Sequence, residues 1–166
     1  MCQNDGMGQD ADVEIRAFEE GDRDAVMGLA ERLAEGVAEW REQASVLRAA
    51  RGWVSSSADK AAGADRAFYV AVAGSRVIGL VTVCELAHFT GQMDAYVGEL
   101  VVSRDWEGRG VATRLMGVAE QWAVQRGLAF VRLGTGSANK PARGLYVSLG
   151  YAEELVEMVK PVAART

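Results

Sequence analysis

Histidine is almost missing from this chain: His88 is the single one in 166 residues, which excludes a histidine-rich metal centre. Cysteine is nearly as scarce. Cys2 lies in the first polar stretch and Cys84 in an apolar β-rich run, so they make no disulfide framework and read as free thiols of a reducing cytoplasm. No ligand cluster has zinc spacing, and no metal is expected. No run of about 18 apolar residues occurs, so no membrane-spanning helix and no membrane partner are expected. An excess of positive charge is also lacking. The formal net charge is −5, whereas a nucleic-acid surface needs basic residues to replace counterions. The first residues, Met1 to Asp5, have neither a basic patch nor an apolar stretch, so a secretory leader is not expected. Residues 1–10 read as a disordered polar tail.

What is present suits one cytoplasmic domain over residues 11–166. The chain is 49% hydrophobic and 25% charged, enough for a substantial core with an ordinary surface. Val13 to Phe18 alternates as a strand. Asp22 reads as an N-cap, with Ala25, Val26, Leu29, Ala30, Leu33 and Val37 at helical spacing behind it. A second helix is expected over 39–53, with Trp40, Ala44, Leu47 and Ala50 on one side and Ser55-Ser56-Ser57 as a polar break. Phe68 to Ala73 and Arg76 to Leu86 are β-rich runs joined at Gly74-Ser75, a hairpin signal. Ala95 to Ser103 is the next strand. Val111, Leu115, Val118, Ala119 and Trp122 define a helix face that Gly127 ends. A strand follows over Ala129 to Leu133, then a helix opened by Ser137 or Asn139 and closed by Gly150. A last strand is expected from Tyr151 onward, with Val156 to Val159. The order β-α-α-β-β-β-α-β-α-β describes a mixed α/β domain.

One segment promises chemistry. Glu99-Leu100-Val101-Val102 runs as a strand into Ser103-Arg104-Asp105-Trp106-Glu107-Gly108-Arg109-Gly110, and Val111-Ala112-Thr113-Arg114-Leu115 starts an amphipathic helix. Backbone N–H groups at a helix start have no intrahelical partners. With the positive end of the helix dipole they form an anion site suited to a pyrophosphate. Gly108 and Gly110 let backbone and ligand approach, and Ala112 keeps the floor small. A glycine-containing turn is a weak signal on its own.

The segment Glu107-Gly108-Arg109-Gly110-Val111-Ala112 resembles the pyrophosphate loop of the GNAT superfamily of acetyltransferases, written Arg/Gln-x-x-Gly-x-Gly/Ala. Gly110 and Ala112 match, and Glu107 departs from the usual Arg or Gln. Arg109 is one candidate for the missing positive charge. Downstream, Asn139-Lys140-Pro141-Ala142-Arg143-Gly144-Leu145-Tyr146-Val147-Ser148-Leu149-Gly150-Tyr151 is similar to the family signature Asn-x-x-Ala-x-x-Leu-Tyr-x-x-x-Gly-Phe, with Tyr151 in place of phenylalanine. The two signatures in this order are far more specific than either alone. The resemblance implies the GNAT acyl-CoA N-acyltransferase fold, acetyl-CoA as cosubstrate, and transfer of acetyl to a primary amine of a small molecule or peptide in a ternary complex. A coenzyme A-binding module without catalysis, or transfer of a longer acyl group, are the alternatives; a homodimer is compatible with either.

The resemblance also distributes roles. Main-chain groups of Leu100, Val101 and Val102 contact the pantetheine arm and acetyl carbonyl, and an N–H aimed at that oxygen stabilises the charge developing there. Gly108, Arg109, Gly110, Val111, Ala112 and Thr113 hold the pyrophosphate. Asn139 contacts the cofactor arm, or serves simply as an N-cap. Tyr146 is the general acid for the departing thiolate, or a core tyrosine. The base is read from position. Glu99 precedes the oxyanion donor and faces opposite to Leu100, toward an acceptor cleft or toward solvent. Glu85 and His88 are reserves, with histidine the side chain type suited to a proton shuttle. The first two helical segments mix acid and base (Glu31, Arg32, Glu35, Glu39, Arg41, Glu42) and do not identify the amine.

Overall fold

Alternating apolar residues make the first strand, and its partner lies some 50 residues further along the chain. In the computed structural model, which describes residues 12–160 and 162, β1 (Val13–Ala17) runs antiparallel to β2 (Arg66–Ala73). β2 turns through Gly74-Ser75 into β3 (Arg76–Ala87), and Gly74 takes φ 61°, a region that a Cβ would penalise. β3 pairs antiparallel with β4 (Met93–Val102), and β4 pairs in parallel with the short β5 (Val131–Leu133). The order in the sheet is β1-β2-β3-β4-β5. A parallel neighbour requires a crossover, supplied here by α3 (Val111–Gln125).

Each face of the sheet buries one apolar stripe. On one side, Val111, Leu115, Met116, Ala119, Trp122 and Ala123 of α3 pack on Ile78, Val81, Val83, Ala95 and Val97. On the other, Val26 of α1 (Arg23–Leu29), Ala30, and Val54 and Ala58 of α2 (Gln43–Asp59) cover Phe68, Val70, Leu80 and Val101. Each buried valine or leucine contributes about 1.5–3 kcal/mol. The last helix, α4 (Lys140–Ser148), starts at an Asn139 cap and ends before Gly150, φ 91°. No helix among the described residues is long and apolar enough to cross a membrane.

Three expectations are corrected. The second helix runs Gln43–Asp59, not 39–53, so Ser55 to Ser57 lie within it and Trp40 stands outside it, exposed. The stripe Ala50, Val54, Ala58 explains the extension: its four-residue spacing stays on the sheet through the serines. The first helical segment is broken into a 3₁₀ turn (Glu20–Asp22), α1, and a second 3₁₀ turn (Ala30–Ala34). Asp22 makes no side-chain cap to α1, because Arg16 occupies both its oxygens at 2.7 and 2.8 Å. The last strand is absent: residues 151–160 form no strand, and Leu155 and Met158 are exposed. A strand exists only with a partner, and β5 pairs with β4 alone. Residues 1–10 lie outside the described residues.

Candidate functional site

β4 is built irregularly where the chemistry is expected. Val81 of β3 sits opposite Leu100 and Val83 opposite Val97. Two steps on β3 therefore match three on β4, which makes a β-bulge at Gly98-Glu99. Val97, Leu100 and Val102 all contact the α3-side core, whereas Val101 is buried on the α2 side. The bulge shifts the alternation by one, and Glu99 joins the α2 side. There its Oε2 accepts from Ser57 Oγ of α2 at 3.0 Å and from the Thr82 hydroxyl, and its N–H donates to Thr82 Oγ1 at 3.0 Å. Glu99 is only 7% exposed.

Beyond the bulge β4 keeps β3 but loses β5. β5 pairs only with Ala95 to Val97. The Ser103 N–H donates to Ile78 at 2.7 Å, and the Val101 carbonyl faces Gly79, both on the β3 side. Alternation turns the main-chain groups of Leu100 and Val102 to the opposite edge, where no strand among the described residues covers them. The Val102 carbonyl accepts from Arg32 Nη1 at 2.6 Å. Val101 has its side chain in the core and its carbonyl toward β3, so only Leu100 and Val102 present backbone to this open edge.

The open edge leads straight into the loop. A 3₁₀ turn, Arg104–Trp106, and residues 107–110 deliver the chain to α3. Gly108 and Gly110 take φ 71° and 75°, and nothing lies within 4 Å of where a Cβ on either would stand. Positive φ demands glycine here, and the space above is open. No side chain caps α3, and its first turn holds no acid. Arg114 N–H closes the first helical bond on Gly110, which leaves the N–H groups of Val111, Ala112 and Thr113 outside the helix's own ladder. Val111 is buried, Ala112 half-buried and Thr113 exposed. Arg109 lies over the Trp106 ring at 4.8 Å. Glu107 pairs with Arg32.

Tyr146 on α4 packs against the same α3-side core as Leu100 and Val102, and meets Tyr151 edge-on at 5.9 Å. Burial pushes its hydroxyl above the ordinary tyrosine value. Asn139 fills the N-cap role, its Oδ1 accepting from Ala142 N–H at 3.2 Å. Gly36, φ 76°, touches the same loop so closely that a Cβ would stand 2.5 Å from Asn139 Cβ. The segment between α1 and α2 thus closes against the β5–α4 connection, a contact with no signature in the sequence. The two reserve bases are not brought here. Glu85 sits opposite Ala95, five positions before Leu100, and pairs with Arg126 at 3.1 Å. His88 faces Thr90 at 2.8 Å and Glu154 at 3.7 Å. Ser57 and Thr82 hold Glu99, and nothing in a serine run or a strand threonine marks such a contact in the sequence. No group of three or more His, Cys, Asp or Glu among the described residues could hold a metal ion.

A mixed sheet that opens at one parallel edge and feeds a glycine loop and an uncapped helix defines an acyl-CoA N-acyltransferase fold. Residues 34–151 match the acetyltransferase (GNAT) family, and the chain belongs to that family. It is 32% identical over 96 residues to an uncharacterized N-acetyltransferase of Methanocaldococcus jannaschii, covering 56% of this chain and 41% of that protein. It is 45% identical over 56 residues to the aminoglycoside 2'-N-acetyltransferase of Mycolicibacterium fortuitum, covering 34% of this chain and 27% of that one. The chain spans less than half the length of these curated relatives. Its fold is similar to that of an aminoglycoside N-acetyltransferase in complex with CoA, with a TM-score of 0.67 at 16% identity over 95% of this chain and 99% of that one.

Proposed function

We propose that this protein transfers the acetyl group of acetyl-CoA directly to a primary amine of a small molecule or peptide. The observation that supports this most is the open edge of β4, where main-chain groups of Leu100 and Val102 without a strand partner lead into the Gly108–Gly110 loop and the uncapped start of α3. These features fit coenzyme A. An extended amide-containing arm needs strand-like partners, and a pyrophosphate needs unpaired N–H groups at a helix start. The cosubstrate supplies an activated acetyl thioester. The Leu100 N–H stabilises the negative charge that grows on its carbonyl oxygen. Glu99 takes the proton from the ammonium, directly or through water, and Tyr146 gives its proton to the departing sulfur. One C–N bond forms, one C–S bond breaks, and solvent restores both protonation states. Neither Cys2 nor Cys84 lies in a nucleophile position of the two signatures, so no acyl-enzyme is invoked.

The acceptor is read as a small cationic amine. The net charge of −5 favours it, and matched relatives are named for streptothricin and aminoglycoside acetylation. A panel of aminoglycosides, polyamines, amino acids and peptides, assayed by release of free coenzyme A thiol, tests the reading. Thiol release that depends on one class of amine is expected. Binding of coenzyme A with no amine-dependent release would make the protein a binding module instead.

A further inference from the structure

The pyrophosphate loop has a carboxylate where the family pattern has Arg or Gln. Glu107 is more than half exposed, three residues before the Gly110 cap of α3, and a carboxylate there repels a phosphate. We propose that Arg32, reaching in from the 3₁₀ turn after α1, is the counter-charge that makes this loop able to take a pyrophosphate. The inference rests on the acetyl-CoA reading above.

Arg32 is fixed from three sides. Nη1 donates to the Val102 carbonyl at 2.6 Å, while Nη2 meets Glu107 and, at 3.0 Å, Glu35. Its side chain is 18% exposed and its Nε is buried without a partner, so it is held in place rather than waving in solvent. Arg104 closes the network on Glu35 at 2.6 Å. Two arginines and two glutamates balance to zero, and loss of Arg32 leaves one net negative charge in this four-residue network. Asp105 and Arg76 pair with each other at 2.6 Å, and Arg109 keeps its charge but lies over the Trp106 ring instead of on Glu107, so Arg32 is the arginine that meets the Glu107 carboxylate. Arg32 therefore acts as a positioning and neutralising residue. It ties the segment between α1 and α2 to the cofactor loop, at a distance of 75 residues along the chain.

Titration calorimetry with coenzyme A, on proteins whose ligand-free melting curves show them folded, tests the pair. Arg32→Gln keeps a donor for Val102 but removes the charge, and should weaken binding about tenfold or more, the equivalent of about 1.4 kcal/mol. Glu107→Gln should bind as tightly as the wild type or tighter. Arg32→Gln combined with Glu107→Gln should return to within about threefold of Glu107→Gln alone. Arg32→Lys, which keeps the charge, should stay within about threefold of the wild type. Unchanged affinity in Arg32→Gln overturns the proposal, as does a double variant no tighter than Arg32→Gln, or a tenfold loss in Arg32→Lys. A wild type that binds no coenzyme A would sink the acetyl-CoA reading itself; a wild type that binds, with no coupling between positions 32 and 107, sinks only this inference.

Discussion

Tyr146 carries its proton at neutral pH, and partial burial holds that proton more firmly. Its hydroxyl is pushed above the ordinary value near 10 by desolvation of the phenolate, so it stays a donor across the neutral range. That is the state an acid for a leaving thiolate needs. Tyr146→Phe keeps the ring and its packing, so coenzyme A binding should be nearly unchanged while turnover falls about ten- to a thousandfold. Full turnover with a verified acceptor would return Tyr146 to a packing role. Glu99 is held differently, by the hydroxyls of Ser57 and Thr82 on the α2 side. Glu99→Gln preserves shape and hydrogen bonding but cannot take a proton. Its rate loss should be greatest at low pH and should shrink as the pH rises toward the amine's own value near 10, where the nucleophile is already neutral. A loss that stays uniform between pH 6 and 9 would mean that Glu99 only attracts the acceptor's charge.

At the scale of elements, the bulge in β4 was not legible. Val97, Glu99 and Val101 alternate in the sequence as if on one face, yet Val97 and Val101 sit in different cores. Only pairing with β3 reveals the extra residue, since a bulge is a mismatch between two strands. The anchoring of β1 is another cross-element feature, and it has a pH signature. Asp22 accepts two bonds from Arg16 and one from the Glu19 N–H at 2.9 Å, and the Arg16 bonds above all hold its carboxyl below the usual range. A carboxyl lowered in the folded state stabilises the protein above its unfolded value near 3.9, and that stability is lost as pH falls through the folded value. Asp22→Asn should therefore lower the melting temperature at pH 7, by an amount equivalent to up to about 1 kcal/mol. The gap to the wild type should close below about pH 4. A gap that persists unchanged at pH 3 would assign the loss to packing instead of charge.

For the whole molecule, the cosubstrate should act as a stabiliser. A ligand that binds only the folded state adds about 2.7 kcal/mol at a hundredfold excess over its dissociation constant. The melting temperature should rise with coenzyme A, and Gly110→Glu should abolish the rise, since it puts a carboxylate into the loop and a side chain at φ 75°. No shift at millimolar coenzyme A would count against the assignment as a whole.

Elements whose cause is local can be read along the chain. β-rich apolar runs make β2, β3 and β4, helical apolar spacing makes α3, glycine closes the hairpin and the ends of α3 and α4, and the two signatures carry the loop and Tyr146 in order. These are properties of neighbours in the chain. The remaining features come from packing between distant segments. That packing broke the first helical segment and extended the second through its serines to reach Glu99. It left residues 151–160 without a strand partner, closed Gly36 against Asn139, and brought Arg32 to Glu107. Each of these depends on a contact between segments distant in sequence, and such contacts are set by which surfaces must leave water together once the sheet forms.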